Sequence, residues 1–147
     1  MSLFETITAD LKTAMKAGEK ERVEVLRFVL SGLQGAQKEK NVKEPGVPLA
    51  DEETISLLQK EAKKRKESIE LFKQGKRDDL VSKETADLAI IAAYLPKELS
   101  EAEIGAIVDD LRAKGFNDFS ALMREAMKAM KGKADGKLVG EIIKKKL

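Results

Sequence analysis

Apolar positions recur along this chain at spacings of three and four, the period of an amphipathic helix, and no stretch shows the two-residue alternation of a strand. Leu3, Ile7, Leu11 and Met15 form the first stripe. Ser2 and Glu5 precede it in the arrangement of a capping box, so the pattern predicts a helix that closes at Gly18. From Glu19 a second amphipathic run carries Val23, Leu26, Leu30 and Leu33 on one face. Pro45, Gly46 and Pro48 then forbid helix, and the stretch from Asn41 to Ala50 reads as a surface loop. Asp51 is placed to cap a third helix with the seam Ile55, Leu58, Ala62, Arg65, Ile69 and Phe72, ending at Gly75. A fourth, starting near Asp78, carries Leu80, Leu88, Ile91, Ala92 and Leu95 and stops at Pro96.

The pattern restarts with Ser100 and Glu103 as a second capping box, which makes Pro96 the expected boundary. Ile104, Ile107, Val108 and Leu111 line a helix closed by Gly115. Phe119, Leu122, Met123, Ala126 and Met127 line the next, capped by Asn117 or Asp118 and broken at Gly132. Leu138, Val139, Ile142 and Ile143 line a last one from about Asp135. The expectation is an all-α protein with an N-terminal four-helix part over residues 1–95 and a C-terminal three-helix bundle over 97–147.

Composition narrows the chemistry. The 147 residues include no cysteine and no histidine, so thiolate nucleophiles, imidazole bases and the usual zinc ligand sets are excluded. Ser68 and Ser82 lack the lysine three residues on that a Ser-Lys pair requires, and Tyr94 reads as packing at the hinge. Asp51, Glu52 and Glu53, like Asp109 and Asp110, are sequence neighbours that diverge around a helix and make no acid/base dyad. No metal site, no cofactor and no catalytic residue are expected. The start of the chain shows no basic region followed by an apolar run, and no segment has the length of a spanning helix, which places the protein in the cytoplasm by expectation.

Charge matters through its distribution. Basic residues number 28 against 26 acidic ones, but from Arg124 to Leu147 there are eight basic and three acidic. Lys131, Lys133 and Lys137 flank the Gly132 break and the start of the last helix, where ammonium groups and backbone N–H groups can meet phosphates. The other reading is a solvated helix end, with Gly132 and Gly136 as ordinary breakers and Asp135 as an N-cap. Arg65 interrupts an apolar seam, so its guanidinium must be paired or must reach water along its stem, with a ligand contact as the functional alternative. Glu84 or Asp79 is the expected partner, forming an ion pair that fixes the register of the third and fourth helices.

Tyr94-Leu95-Pro96-Lys97-Glu98-Leu99-Ser100, followed by Glu101, Glu103 and Ile104, resembles the hinge segment of the YqeY-like proteins. The run from Lys131 through Gly132, Lys133, Ala134, Asp135, Gly136, Lys137, Leu138 and Val139 to Leu147 is similar to the end of the same family. Leu26, Arg27 and Leu30, then Arg65, Glu67, Ser68 and Ile69, then Arg77, Asp79, Leu80 and Glu84 also resemble its pattern. Where the family commonly has Gly-Lys after the methionine, this chain has Arg124 and Glu125 after Met123. The resemblance implies a two-part helical fold. It also implies kinship with the C-terminal tail found in the glutamine-dependent aspartyl/glutamyl-tRNA amidotransferase, a carbon-nitrogen ligase with glutamine as amido-N-donor whose chemistry lies in other domains. By that kinship the chain is expected to be a non-catalytic accessory that binds tRNA or an aminoacyl-tRNA-handling enzyme. Lys131, Gly132, Lys133, Gly136, Lys137, Lys144 and Lys145 are then the candidate RNA-binding residues. The competing expectation is a helical protein-interaction adaptor without RNA contact.

Overall fold

The computed structural model describes residues 1–147, and all of its regular structure is helical. Seven helices follow in order: α1 (Leu3–Ala17), α2 (Lys20–Lys43), α3 (Asp51–Gln74), α4 (Asp78–Ala92), α5 (Glu101–Ala113), α6 (Phe119–Ala129) and α7 (Gly136–Lys146). They form two compact units, Met1–Leu95 and Pro96–Leu147. None of the helices is long and apolar enough to cross a membrane.

In the first unit α1 packs on α2 and α3 on α4, and the two hairpins share a core through α2. Ile7, Leu26, Leu33, Leu58 and Ile91 are its fully buried large side chains. Ser2 Oγ accepts from the Glu5 N–H at 3.1 Å and starts α1. Gly18, at φ 70°, ends it. The stripe anticipated for α1 turns outward at its far end: Ile7 is buried, but Met15 is 50% exposed and Ala14 occupies the core. The cause is geometric. Steps of four advance about 400° around a 3.6-residue helix, so three steps rotate a side chain roughly 120° away from its starting face.

The loop before α3 is held by two side chains of α2, Gln37 and Lys40, the latter donating to Pro48 O at 3.0 Å. Gln37 on α2 donates to Val47 O at 2.9 Å and accepts from the Leu49 N–H at 2.7 Å, and Leu49 is buried in the core. Asp51 does not cap its own helix. The N-cap of α3 is Ala50, which has no acceptor side chain, while Glu53 reaches back to the Ala50 N–H at 3.1 Å and pairs with Lys40. The Asp51 carboxylate instead accepts from the Leu3 N–H, the first of α1, at 2.8 Å, so a residue at the start of one helix caps another.

α3 ends at Gly75 as expected, but the left-handed residue of the turn is the next one. Gly75 sits at φ −81°, and Lys76 takes the left-handed conformation at φ 57°. Arg77 N–H then bonds to Phe72 O at 2.9 Å and Lys76 N–H to Lys73 O at 3.1 Å, closing a Schellman-type end. α4 stops at Ala92, short of Pro96, because the ring of a proline disfavours helical backbone in the residue before it.

The second unit is a three-helix bundle around Ile104, Val108, Leu122, Ala126, Met130, Val139 and Ile143. Ser100 Oγ accepts from the Glu103 N–H at 3.2 Å and starts α5. Asp118 is the N-cap of α6 but makes no side-chain capping bond, whereas Asp135 caps α7 by accepting from the Lys137 N–H.

Candidate functional site

The basic residues of the second unit divide by what they touch. Lys146 Nζ lies 2.9 Å from Asp109, and its carbonyl accepts from Arg112 Nη1 at 2.6 Å, which ties the end of α7 to α5. Lys114 pairs with Asp110 at 3.2 Å. Glu125 lies 3.7 Å from Arg124 and 3.6 Å from Lys128, so it offsets both charges at the place where the chain departs from the family's Gly-Lys.

Lys133, Lys137, Lys144 and Lys145 are exposed and have no carboxylate within ion-pair distance; Lys131 is exposed beside them. The turn that carries the first of these is built into the fold. Met130 is fully buried, its carbonyl accepts from the Lys133 N–H at 2.7 Å, and the Lys133 carbonyl accepts from the Leu99 N–H at 2.7 Å. Gly132 sits between them at φ 69°, the left-handed conformation that glycine adopts without strain.

Of the residues singled out from the sequence, Lys131, Gly132 and Lys133 lie in the turn before α7, while Gly136, Lys137, Lys144 and Lys145 lie on it. Lys137 and Lys144 are seven apart, hence on one face and about 10 Å apart along the axis. Glu141, also exposed, stands on that face between them. Lys144 Nζ lies 5.8 Å from the ring centroid of Phe119. Gly136 faces inward: a Cβ there would stand 3.7 Å from Met123 Cε and 3.8 Å from Met127 Cε. It serves the approach of α7 to α6. The helix N-terminus is occupied as well, because the Asp135 carboxylate already accepts from Lys137 N–H at 3.5 Å. The cationic groups that this surface offers to an anion are therefore the side-chain ammoniums.

The first unit holds a polar network on its largely buried Arg65. Arg65 Nε bonds to Glu61 at 3.1 Å, and Nη1 lies 3.3 Å from Glu84 and 3.2 Å from Asp87. Asp79, named with Glu84 as a partner, instead takes two hydrogen bonds from Arg77, at 3.3 and 3.2 Å. That contact holds the Asp79 carboxyl below and the Arg77 guanidinium above their ordinary pKa values. Asp79 is one residue into the first turn of α4, whereas Glu84 and Asp87 lie one and two turns further on, alongside Arg65.

Asp87 is the member that sequence reading missed. It is 4% exposed and also accepts from Lys83 at 3.4 Å. Its charge, then that of Glu24, raises the Lys83 ammonium. Its signal was present: Asp87 lies four residues before Ile91 on the apolar face of α4. The Arg65 guanidinium is also 5.7 Å from the Phe28 ring centroid, which brings α2 into the network of α3 and α4. Nothing in this cluster has the arrangement of a nucleophile and base; its groups are committed to one another.

The model of a family described as Yqey-like protein matches residues 4–147. The chain is 30% identical to the altered inheritance of mitochondria protein 41, mitochondrial, of Pyrenophora tritici-repentis over 134 residues, covering 87% of this chain and 71% of that protein. It is 38% identical to the protein of the same name from Lachancea thermotolerans over 104 residues, covering 69% of this chain and 54% of that one. It is 43% identical over 53 residues to a glutamyl-tRNA(Gln) amidotransferase subunit of Halobacterium salinarum, covering 34% of this chain and 8% of that protein. The chain thus spans between about half and seven-tenths of the first two relatives and a small part of the third.

The expected kinship with an amidotransferase is met by the third of these relatives, whose name specifies the glutamyl-tRNA(Gln) enzyme. The cytoplasmic placement is overturned, since relatives matching most of the chain carry mitochondrial names; the absence of a helix able to cross a membrane does not decide a compartment. The all-helical architecture and the match across nearly the whole length agree: this chain belongs to the Yqey-like protein family.

Proposed function

We propose that the protein is a non-catalytic accessory that engages tRNA, or an enzyme handling aminoacyl-tRNA, through the exposed lysines of its C-terminal unit. The observation that carries this reading is the contrast among its cations: Lys114, Arg124, Lys128 and Lys146 are each matched by a carboxylate, while Lys133, Lys137, Lys144 and Lys145 are not. Flexible, solvated ammonium groups on a turn and the helix that follows it suit the phosphate backbone and carry no base-edge code. Such a surface reads shape and charge. Kinship with a protein named for glutamyl-tRNA(Gln) amidotransferase supports tRNA as the polyanion.

The test is binding of labelled bulk tRNA at two salt concentrations, with wild type and a Lys133→Ala, Lys137→Ala, Lys144→Ala, Lys145→Ala variant. Wild-type affinity is expected to fall steeply with salt, with a log–log slope of about −2 to −4, and the variant's slope to shrink by about 1 for each phosphate that it no longer neutralises. Equal binding by both proteins would overturn the assignment to these lysines, and no binding at low salt would overturn the reading in favour of an adaptor that docks protein only. Glutamine- and ATP-dependent turnover by the isolated chain would overturn its non-catalytic part.

A further inference from the structure

The outward face of α2 is unlike the rest of the surface. From Phe28 to Gln37 there is no charged residue, in a chain where 37% of residues are charged. The positions Glu24, Phe28, Ser31, Gly35, Lys38 and Val42 follow one another at spacings of four and three and are all exposed. Phe28 is 57% exposed and Val42 is 83% exposed, while Val25, Leu26, Val29, Leu30 and Leu33 bury the opposite face. Such spacing makes one seam along a helix, and in free solution it leaves a phenyl ring standing in water. The ring is held there by the Arg65 guanidinium, 5.7 Å from its centroid. Gly35, about two turns along, has nothing within 4 Å of a Cβ position.

We infer that this face is the contact between two copies of the chain, paired antiparallel through α2 about a two-fold axis at Ser31. The charges favour a second copy over an unrelated partner. An isologous contact sets each patch against itself, so a uniformly charged patch would repel and an uncharged centre does not. With Ser31 on the axis, Glu24 of one copy faces Lys38 of the other, and the symmetry makes that opposite-charge pair twice. The same register brings each Phe28 to within one residue, about 1.5 Å along the axis, of Gly35 of the opposing helix, where the missing side chain admits a ring. Shifting the register by one residue to centre the ring on the glycine would set Glu24 against Glu39, so the charges hold the axis at Ser31. Glu24 and Lys38 are 14 residues apart, about 21 Å along the axis. A pair of helices meeting over that length lies at the small end of specific interfaces, so the dimer forms reversibly with concentration.

Sedimentation velocity of the full chain over roughly 10 µM to 1 mM, a range that brackets the affinity of a small interface, tests this. A monomer–dimer equilibrium is expected. Gly35→Glu should abolish the dimer, and unchanged helical circular dichroism will show that the fold survives. Glu24→Lys should weaken association by roughly tenfold, since two attractive pairs become repulsive. Adding Lys38→Glu to Glu24→Lys should restore it, although neither change restores the Glu24 contact to Lys83. A monomer at every concentration overturns the inference, as does a dimer insensitive to Gly35→Glu or a charge reversal that fails to rescue.

Discussion

The Tyr94 hydroxyl donates a 2.6 Å hydrogen bond to the Asp10 carboxylate, joining residues 84 positions apart. Arg22 completes the contact, 3.5 Å from the phenol oxygen and 4.0 Å from the carboxylate. Residues from α1, α2 and the turn after α4 thereby meet at one point, where the first unit closes on itself.

Burial first, and then the Asp10 bond, push the Tyr94 hydroxyl up to about 12 from its ordinary 10.0. A raised folded-state pKa means that the contribution is fully present below the unfolded value and is lost as pH rises through the folded one. Wild type is therefore expected to lose stability between pH 10 and about 12 by a route that Tyr94→Phe lacks. At pH 7 the same substitution should cost about 1 kcal/mol. Urea denaturation of both proteins at pH 7, 10 and 11.5 measures the difference; parallel pH profiles would refute the assignment.

Arg65→Met should destabilise the first unit by about 3 kcal/mol, because it strands the buried Asp87 and the partly buried Glu84 and Glu61 beside an apolar side chain. Arg65→Lys keeps the charge but offers one point in place of a fork, and should recover only part of the loss. Equilibrium unfolding of the two variants separates charge from geometry.

Asp51→Ala removes the carboxylate that caps α1 from α3. The expected cost is about 0.5–1 kcal/mol, the ordinary value of an N-cap. Its location is the distinguishing feature: amide hydrogen exchange should accelerate in the first turn of α1, 48 residues away, more than in the first turn of α3.

Lys76→Gly should stabilise the protein by about 0.5–1 kcal/mol, since Lys76 occupies the left-handed region at φ 57° that glycine enters freely. Thermal unfolding would register an increase of a few degrees. A decrease would mean that the lysine side chain contributes more than the backbone strain costs.

Much of the fold is legible in the periodicity because all seven helices carry an apolar face and most of their ends carry a local signal. Ser2 with Glu5 and Ser100 with Glu103 are self-contained, each bond closing within four residues. Asp51 was misassigned because its partner, the Leu3 N–H, is distant in sequence and no local pattern announces it. Phe28 escaped notice for the opposite reason, being an apolar residue on the polar side of α2 whose contact is with Arg65 of another helix. At the basic end, local rules identified the Asp135 cap and the Gly132 break, but they did not foresee that Lys146 folds inward onto Asp109 of α5 while Lys145 faces water.

The Gln37 amide makes the connection between the two hairpins sensitive to a change of one functional group. Its amide donates to Val47 O and to Asn41 Oδ1 and accepts from Leu49 N–H, so with Lys40, which donates to Pro48 O, it secures the connection between the two hairpins. Deamidation to glutamate would preserve the acceptor and lose both donors, placing a carboxylate against a carbonyl oxygen. A Gln37→Glu variant should therefore be nicked by protease between residues 44 and 50 sooner than wild type, while the helices on either side remain intact.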